Sequence, residues 1–246
     1  MISKINFWGV EINSNSKTQI FNRVDRFLGQ NNISSFIATL NPEILLKAKE
    51  DRDYGKILNQ ANLKIIDGFG IKLVAFLKGK KVGDRVTGVD LAEYVLRQSK
   101  KLDLKIGFVI HKDGWSQKKD LQFKIYDLGV KRFVIEEPEI PESNSWNFQE
   151  LDSGISRIKN VDVLLVGLGA PYQEQFIWQI KDRLPNLKLA MGVGGTFDFW
   201  TGQKKRAPIF MRKIGMEWLW RLFTQPRRLG RIWKATVVFL WRGMKN

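Results

Sequence analysis

The chain has 246 residues, 43% of them hydrophobic and 27% charged, a balance that excludes both a disordered chain and a multi-span membrane protein. It has no cysteine and one histidine, His111, which excludes a disulfide framework, thiolate metal sites, cysteine nucleophiles and any mechanism needing two histidines. The net charge of +16 points to phosphate, whether in nucleic acid, a nucleotide or an anionic membrane surface, and most of it lies in 201–246, where Glu217 is the single acidic residue.

The N-terminal stretch 1–17 turns polar too soon for the apolar core of a signal peptide. No apolar run approaches the roughly 18–20 residues that span a bilayer. The expected location is the cytoplasm, peripheral to the inner face of the membrane. Strand patterns follow at 5–12, 34–40, 63–67, 104–110, 131–136, 161–167 and 187–193, rich in β-branched and aromatic residues and bounded by Gly, Asp or Asn. Helical patterns fill the intervals at 16–29, 42–50, 53–61, 69–78, 88–100, 117–127, 146–159 and 171–184. The alternation predicts an α/β fold: a Rossmann-like, mostly parallel sheet with helices on both faces. The run at 161–169 is apolar enough for a central strand. The acidic, Pro-containing stretch 136–144 reads as a surface loop. The expected organisation is an α/β core over 1–200 and a basic, amphipathic helical appendage over 201–246.

In that appendage Pro226 suits the first turn of a helix. Leu229, Ile232, Trp233, Thr236, Val237, Leu240 and Trp241 then fall on one helical stripe, with Arg227, Arg231, Lys234, Arg242 and Lys245 opposite. Two readings fit equally: a helix lying in a membrane interface, or a terminal helix docked on the domain with its basic face in solvent.

Ligands of open parallel sheets bind beyond the carboxyl ends of the strands. The residues there are Thr39-Leu40-Asn41-Pro42, Asp67-Gly68-Phe69-Gly70, the stretch 167–174 and the stretch 192–198. Three of the four are Gly-rich, which lets backbone approach a ligand and helix N-termini face a phosphate. Each has a plainer reading. Asp67 before Gly starts a turn, Thr39 and Asn41 cap a helix ahead of Pro42, and Gln173 is a first-turn helix residue. Asp51-Arg52-Asp53 matches the metal-binding DxD pattern but falls between two helices, as a turn and cap would. Gly68-x-Gly70 lacks the third glycine of a dinucleotide loop, since Leu73 stands there. His111 has no relay partner beside it in the sequence.

Together these residues resemble the WecG/TagA/CpsF family of bacterial glycosyltransferases. The resemblance rests on Thr39-x-Asn41, Asp67-Gly68-x-Gly70, Arg85-x-x-Gly88, the GLGAPYQE stretch 167–174 and GVGGTFDFWTG at 192–202. It continues through Arg206-Ala207-Pro208, Glu217-Trp218-Leu219-x-Arg221-Leu222 and Pro226-x-Arg228, in the family's order and spacing. The region 104–140 departs most from it, with Lys112-Asp113-Gly114-Trp115 after the strand and an acidic loop where a Tyr-Pro stretch is usual.

The resemblance implies an inverting transfer, without metal or other cofactor, of an N-acetylmannosamine-type sugar. The donor is a UDP-sugar and the acceptor is GlcNAc linked to a polyprenyl diphosphate. It further implies a C-terminal appendage that closes the site at an anionic membrane surface, and self-association as dimers or trimers. Without cysteine or a second histidine, either a carboxylate is the base or the step is base-free; loop position and the resemblance assign the base to Asp67. Arg221, Arg228 and Arg231 match the family's appendage arginines and would neutralise the departing diphosphate. Arg85 and Gln173 would orient sugar or phosphates, and Thr39, Asn41 and Asp198 would hold the donor. Two other classes compete. A nucleic-acid-binding protein would interleave its aromatic and basic residues, whereas the tail separates them. An oxidoreductase would have only the incomplete GxG loop for its nucleotide.

Overall fold

The computed structural model describes residues 4–31, 33–140, 155–213, 215–224, 230 and 233–245. Its first element differs from expectation. The run 5–12 is not one strand but a hairpin, β1 (Lys4–Phe7) paired antiparallel with β2 (Val10–Asn13). Trp8 (φ 50°) and Gly9 (φ 91°) form its two-residue turn. Two successive positive φ angles match the twist of the flanking strands. Trp is a poor signal for that conformation, and its compensation is tertiary: the Trp8 ring lies edge-on to Phe239, 5.6 Å between centroids.

The other expected strands form one six-stranded sheet. They are β3 (Ser35–Leu40), β4 (Leu63–Ile66), β5 (Ile106–Ile110), β6 (Phe133–Glu136), β7 (Val163–Gly167) and β8 (Leu189–Gly192), parallel throughout in the order β4-β3-β8-β7-β5-β6. Alternate residues point to opposite faces, and each face is a core. Phe36, Ala38 and Leu40 pack with the hairpin and with helices α2 (Pro42–Glu50), α3 (Arg52–Asn59) and α4 (Phe69–Leu77). Ile37, Phe108 and Leu165 pack with α1 (Lys17–Gly29), α5 (Gly88–Lys101) and α6 (Lys118–Asp127). The helical pattern at 171–184 becomes α7 (Tyr172–Ile180) and a short 3-10 turn, while that at 146–159 falls mostly outside the described residues.

The chain leaves β3 for α2 on one face and the neighbouring β8 for α8 (Thr196–Trp200), whose Phe197 joins the other core. Connections that part to opposite faces open a crevice at the carboxyl ends of the two strands. Two short helices follow, α9 (Ile209–Lys213) and α10 (Glu217–Thr224). Arg206 anchors the segment leading to them, its Nη2 donating to Asp90 Oδ1 at 2.7 Å and Thr87 Oγ1 at 3.0 Å at the start of α5.

Among the described tail residues, a π-helical turn (Lys234–Val238) runs into α11 (Phe239–Met244). The tail docks through Phe239, which is fully buried and stacks 5.7 Å from Phe7. It also docks through Gly243, where an added Cβ would meet Val74 at 3.1 Å. Phe239 lies off the expected stripe. The stripe itself divides: Leu240 packs against the core, whereas Trp233, Val237 and Trp241 are exposed. The wider turn carries one residue more than an α-helical turn and so moves the docking face round to Phe239. Leu229, Ile232 and Arg227 lie outside the described residues. No helix among the described residues is long and apolar enough to cross a membrane.

Candidate active site

A cavity of about 1020 Å³ opens at the carboxyl ends of β3 and β4. Asn41, Asp67 and Arg85 line its sheet side, and Leu222, Trp233 and Leu240 line its tail side. The core adds apolar Phe69 and Leu73 to its polar groups, and the C-terminal helices add the Glu217 carboxylate to an otherwise mostly apolar wall.

Asn41 and Asp67 are fixed by the strands they follow. Asn41 caps α2, its Oδ1 accepting the Ile44 N–H at 3.0 Å. The plainer reading of Asn41 therefore holds, and the same residue also faces the cavity. Asp67 follows β4, its N–H donating to Leu40 O at 2.8 Å. Its Oδ2 lies 3.7 Å from where a Cβ on Gly88 would stand, as does Cγ2 of Thr39. The first residue of α5 thus sits against both Asp67 and Thr39. The glycines after Asp67 serve close approach. A Cβ at Gly68 would come within 2.3 Å of Pro42 Cδ and one at Gly70 within 2.9 Å of Pro42 Cγ, with Phe239 beyond. The Asp-Gly-x-Gly pattern is thus where β4, α2 and the tail meet.

Arg85 is a strut. Its Nε donates to Asp67 O at 2.5 Å, its Nη1 to Arg212 O at 3.1 Å, and its Nη2 pairs with Glu217 at 3.3 Å. It joins the β4 turn to α9 and α10. Glu217 was not among the expected site residues, although it stood out in the sequence as the one acid in a basic tail. Its ion pair with Arg85 joins residues more than a hundred positions apart, which no local pattern reveals.

Thr39 and Gln173 meet at the end of β8. Thr39 Oγ1 donates to Gly192 O at 3.1 Å. Gln173 Oε1 accepts the Gly194 N–H at 2.9 Å, and its Nε2 donates to Glu174 Oε1 at 2.6 Å. Tyr54 OH donates to the other Glu174 oxygen at 2.8 Å. Glu174 is completely buried. Burial pushes its carboxyl up to about 7, with the hydrogen bonds from Gln173 and Tyr54 and the charge of Lys47 opposing the rise. Burial, reinforced by Glu174, likewise raises Tyr54 well above its ordinary value.

The structure does not bring Asp198 to the cavity. It lies on α8, where Oδ1 accepts from Ser116 Oγ at 2.9 Å and Oδ2 pairs with Lys204, whose ammonium stands over the Trp115 ring. Asp51 caps α3 by accepting the Asp53 and Tyr54 N–H groups, and Asp53 pairs with Lys56, so the DxD pattern is a helix start, as read from the sequence. His111 Nδ1 accepts the Asp113 N–H and closes a turn. Of the tail arginines, Arg221 lies on α10, and Arg228 and Arg231 lie outside the described residues.

Fold and cavity define an α/β protein with a candidate site at the carboxyl edge of a parallel sheet. The family model described as "Glycosyl transferase WecG/TagA/CpsF family" matches residues 5–246. The chain belongs to that family and is a glycosyltransferase. Similar curated proteins include the N-acetylglucosaminyldiphosphoundecaprenol N-acetyl-beta-D-mannosaminyltransferase of Staphylococcus aureus strain NCTC 8325 / PS 47, 27% identical over 254 residues, covering 98% of this chain and 92% of that protein. The protein of the same name from strain MRSA252 is 27% identical over 248 residues with the same coverage.

Proposed function

We propose that the protein transfers N-acetylmannosamine from a UDP-sugar to a GlcNAc carried on a polyprenyl diphosphate, with inversion and without a metal ion, in the assembly of a cell-surface polymer such as teichoic acid or capsule. The observation that carries this reading is the mixed lining of the cavity. A sugar diphosphate on a lipid needs hydrogen-bonding groups and apolar wall within one site, and the cavity joins Asn41, Asp67 and Arg85 to Phe69, Leu73, Leu222 and Leu240. The names of the S. aureus relatives support the same sugar and acceptor.

In this reading Asp67 removes the proton from the acceptor hydroxyl as that oxygen attacks the anomeric carbon. The bond from that carbon to the UDP oxygen breaks, and UDP leaves with the electron pair. A well-placed base of this kind contributes on the order of 10²–10⁴-fold. Arg221, Arg228 and Arg231, assigned by resemblance, neutralise the charge gathering on the diphosphate, the task a guanidinium fork suits. Arg85 holds the Asp67 turn by its backbone and couples it to α10 through Glu217. Thr39 and Asn41 shape the donor side, with Asp198 further along the same edge. The appendage 201–246 closes over the core 1–200 at the inner face of the cytoplasmic membrane.

The test is a screen of UDP-sugars for UDP release against a short-chain lipid diphosphate GlcNAc. UDP-N-acetylmannosamine is expected to turn over, with activity unchanged by EDTA. Loss of activity in EDTA with recovery on adding Mg²⁺ or Mn²⁺ would overturn the metal-free mechanism. Turnover of another UDP-sugar alone would overturn the donor.

A further inference from the structure

Gln173 and Glu174 are both buried at the carboxyl edge of the sheet, and neither residue lines the cavity. Resemblance makes Gln173 a substrate contact. Its geometry suits a different task. One end of its amide accepts the Gly194 N–H, and the other donates to Glu174. A flipped amide would set N–H against N–H at Gly194 and oxygen against oxygen at Glu174, so the carboxyl group fixes which way the amide points. Glu174 is in turn held by Tyr54 of α3.

The chain of contacts ends on one short segment, the turn after β8. Gln173 holds it by the Gly194 N–H, and Thr39 holds it from β3 by the Gly192 carbonyl. The packing leaves no slack: a Cβ at Gly192 would come within 2.7 Å of Gln173 Nε2 and 3.1 Å of Glu174 Oε1. Gly194 itself takes a positive φ of 51°. Thr39, on the far side of this turn, shares the space at Gly88 with the Asp67 carboxylate.

We infer that Glu174 and Gln173 are positioning residues for the transfer reaction, acting in series through the Gly192–Gly194 turn to set the backbone beside Thr39 and Asp67, and that Gln173 does not itself bind the donor. This inference rests on the proposed UDP-sugar reaction only for its kinetic readout.

The decisive experiment compares Gln173→Leu, Glu174→Leu, the double variant and Glu174→Gln. Residues acting in series give a double variant no worse than either single one. Each Leu variant is expected to raise the donor KM about tenfold or more while kcat changes by less than about threefold. Glu174→Gln is expected to stay within about threefold of the parent, since its carboxamide can offer oxygen to Gln173 and N–H to the Tyr54 oxygen. Amide exchange at Gly194, measured without substrate, is expected to speed up at least tenfold in both Leu variants and to keep its protection in Glu174→Gln.

This exchange arm decides the matter even where no UDP-sugar is turned over, so failure of the positioning role and failure of the proposed reaction are distinguishable. If Glu174→Leu does not fold with the Tyr54 hydroxyl left unpaired, Tyr54→Phe combined with Glu174→Leu removes both partners together. Gly194 protection that survives loss of the carboxyl group would overturn the inference. So would a severe kinetic defect in Gln173→Leu beside a mild one in Glu174→Leu, the result a direct donor contact gives.

Discussion

Asp67 stands at the end of β4 with its backbone tied on both sides, by Leu40 O and by Arg85, so its carboxylate is held by the fold rather than by a flexible loop. Asp67→Asn keeps the shape and removes the base. It is expected to lower kcat by roughly 10²–10⁴-fold while leaving thermal stability and UDP affinity close to the parent. Near-parental turnover would show that another group takes the proton. Glu174 makes a second prediction, about stability and pH. Its folded value of about 7 lies above the ordinary 4.5, so the native state binds the proton more tightly than the unfolded chain does. The stabilisation is full below about pH 4.5 and is lost as pH rises through 7. The change is on the order of 3 kcal/mol between those limits. Tyr54 and Lys47 are the titratable groups facing it. Urea melts at pH 5 and pH 8 should show Glu174→Gln gaining on the parent as pH rises, and a constant difference between the two would count against a proton held there. At this scale the sequence was informative about where Thr39, Asn41 and Asp67 sit, because each lies at or just past the end of a strand and the pattern of strands is local. It was silent on the Arg85–Glu217 pair and on Glu174, whose partners come from distant parts of the chain.

The elements were legible where their periodicity was undisturbed. Six strands and most helices lie where apolar alternation places them, within a residue or two at their ends. The hairpin was hidden because Trp8 occupies a turn position that Asn or Gly normally advertises. The docking of the tail was hidden because a π-helical turn shifts the register that a 3.6-residue stripe assumes. Phe239 is the consequence. Among the described tail residues it is the one large side chain with no exposure, sealed against Phe7 and Trp8. Phe239→Ala is expected to cost about 3–5 kcal/mol, the range for a large aromatic removed from a core, and to loosen the tail from α4. Trp241→Ala, at an exposed position on the same helix, is expected to change stability by less than about 0.5 kcal/mol. Chemical denaturation of the two variants side by side checks this. Equal effects would mean that the tail does not dock through Phe239.

At the scale of the molecule, the charge and the exposed aromatics of the tail belong to one argument. Residues 201–246 carry most of the net charge of +16. Trp241 is exposed, and Trp233 and Val237 line the cavity and remain exposed, while Phe239 is buried, so the two sequence readings of the tail are not exclusive: the helix is docked and still presents an apolar edge. Lys245 stands 4.0 Å over the Trp241 ring, a pairing of cation and amphipathic ring that suits the headgroup level of a bilayer. Each Lys or Arg near an anionic surface contributes about 1 kcal/mol, screened as salt rises. The protein is therefore expected to sediment with vesicles containing phosphatidylglycerol, less so with neutral vesicles, and to be released by about 0.5 M salt. The variant to test is Trp233→Ser with Trp241→Ser. Truncation after Thr224 would also uncover Phe7 and Trp8, confusing lost anchoring with exposed core. The double serine variant leaves Phe239 in place. It should bind phosphatidylglycerol vesicles at least tenfold more weakly, with far-UV circular dichroism unchanged. If it binds them as tightly as the parent, the exposed tryptophans are not the membrane contact, and the basic residues alone, or another apolar surface, must provide it.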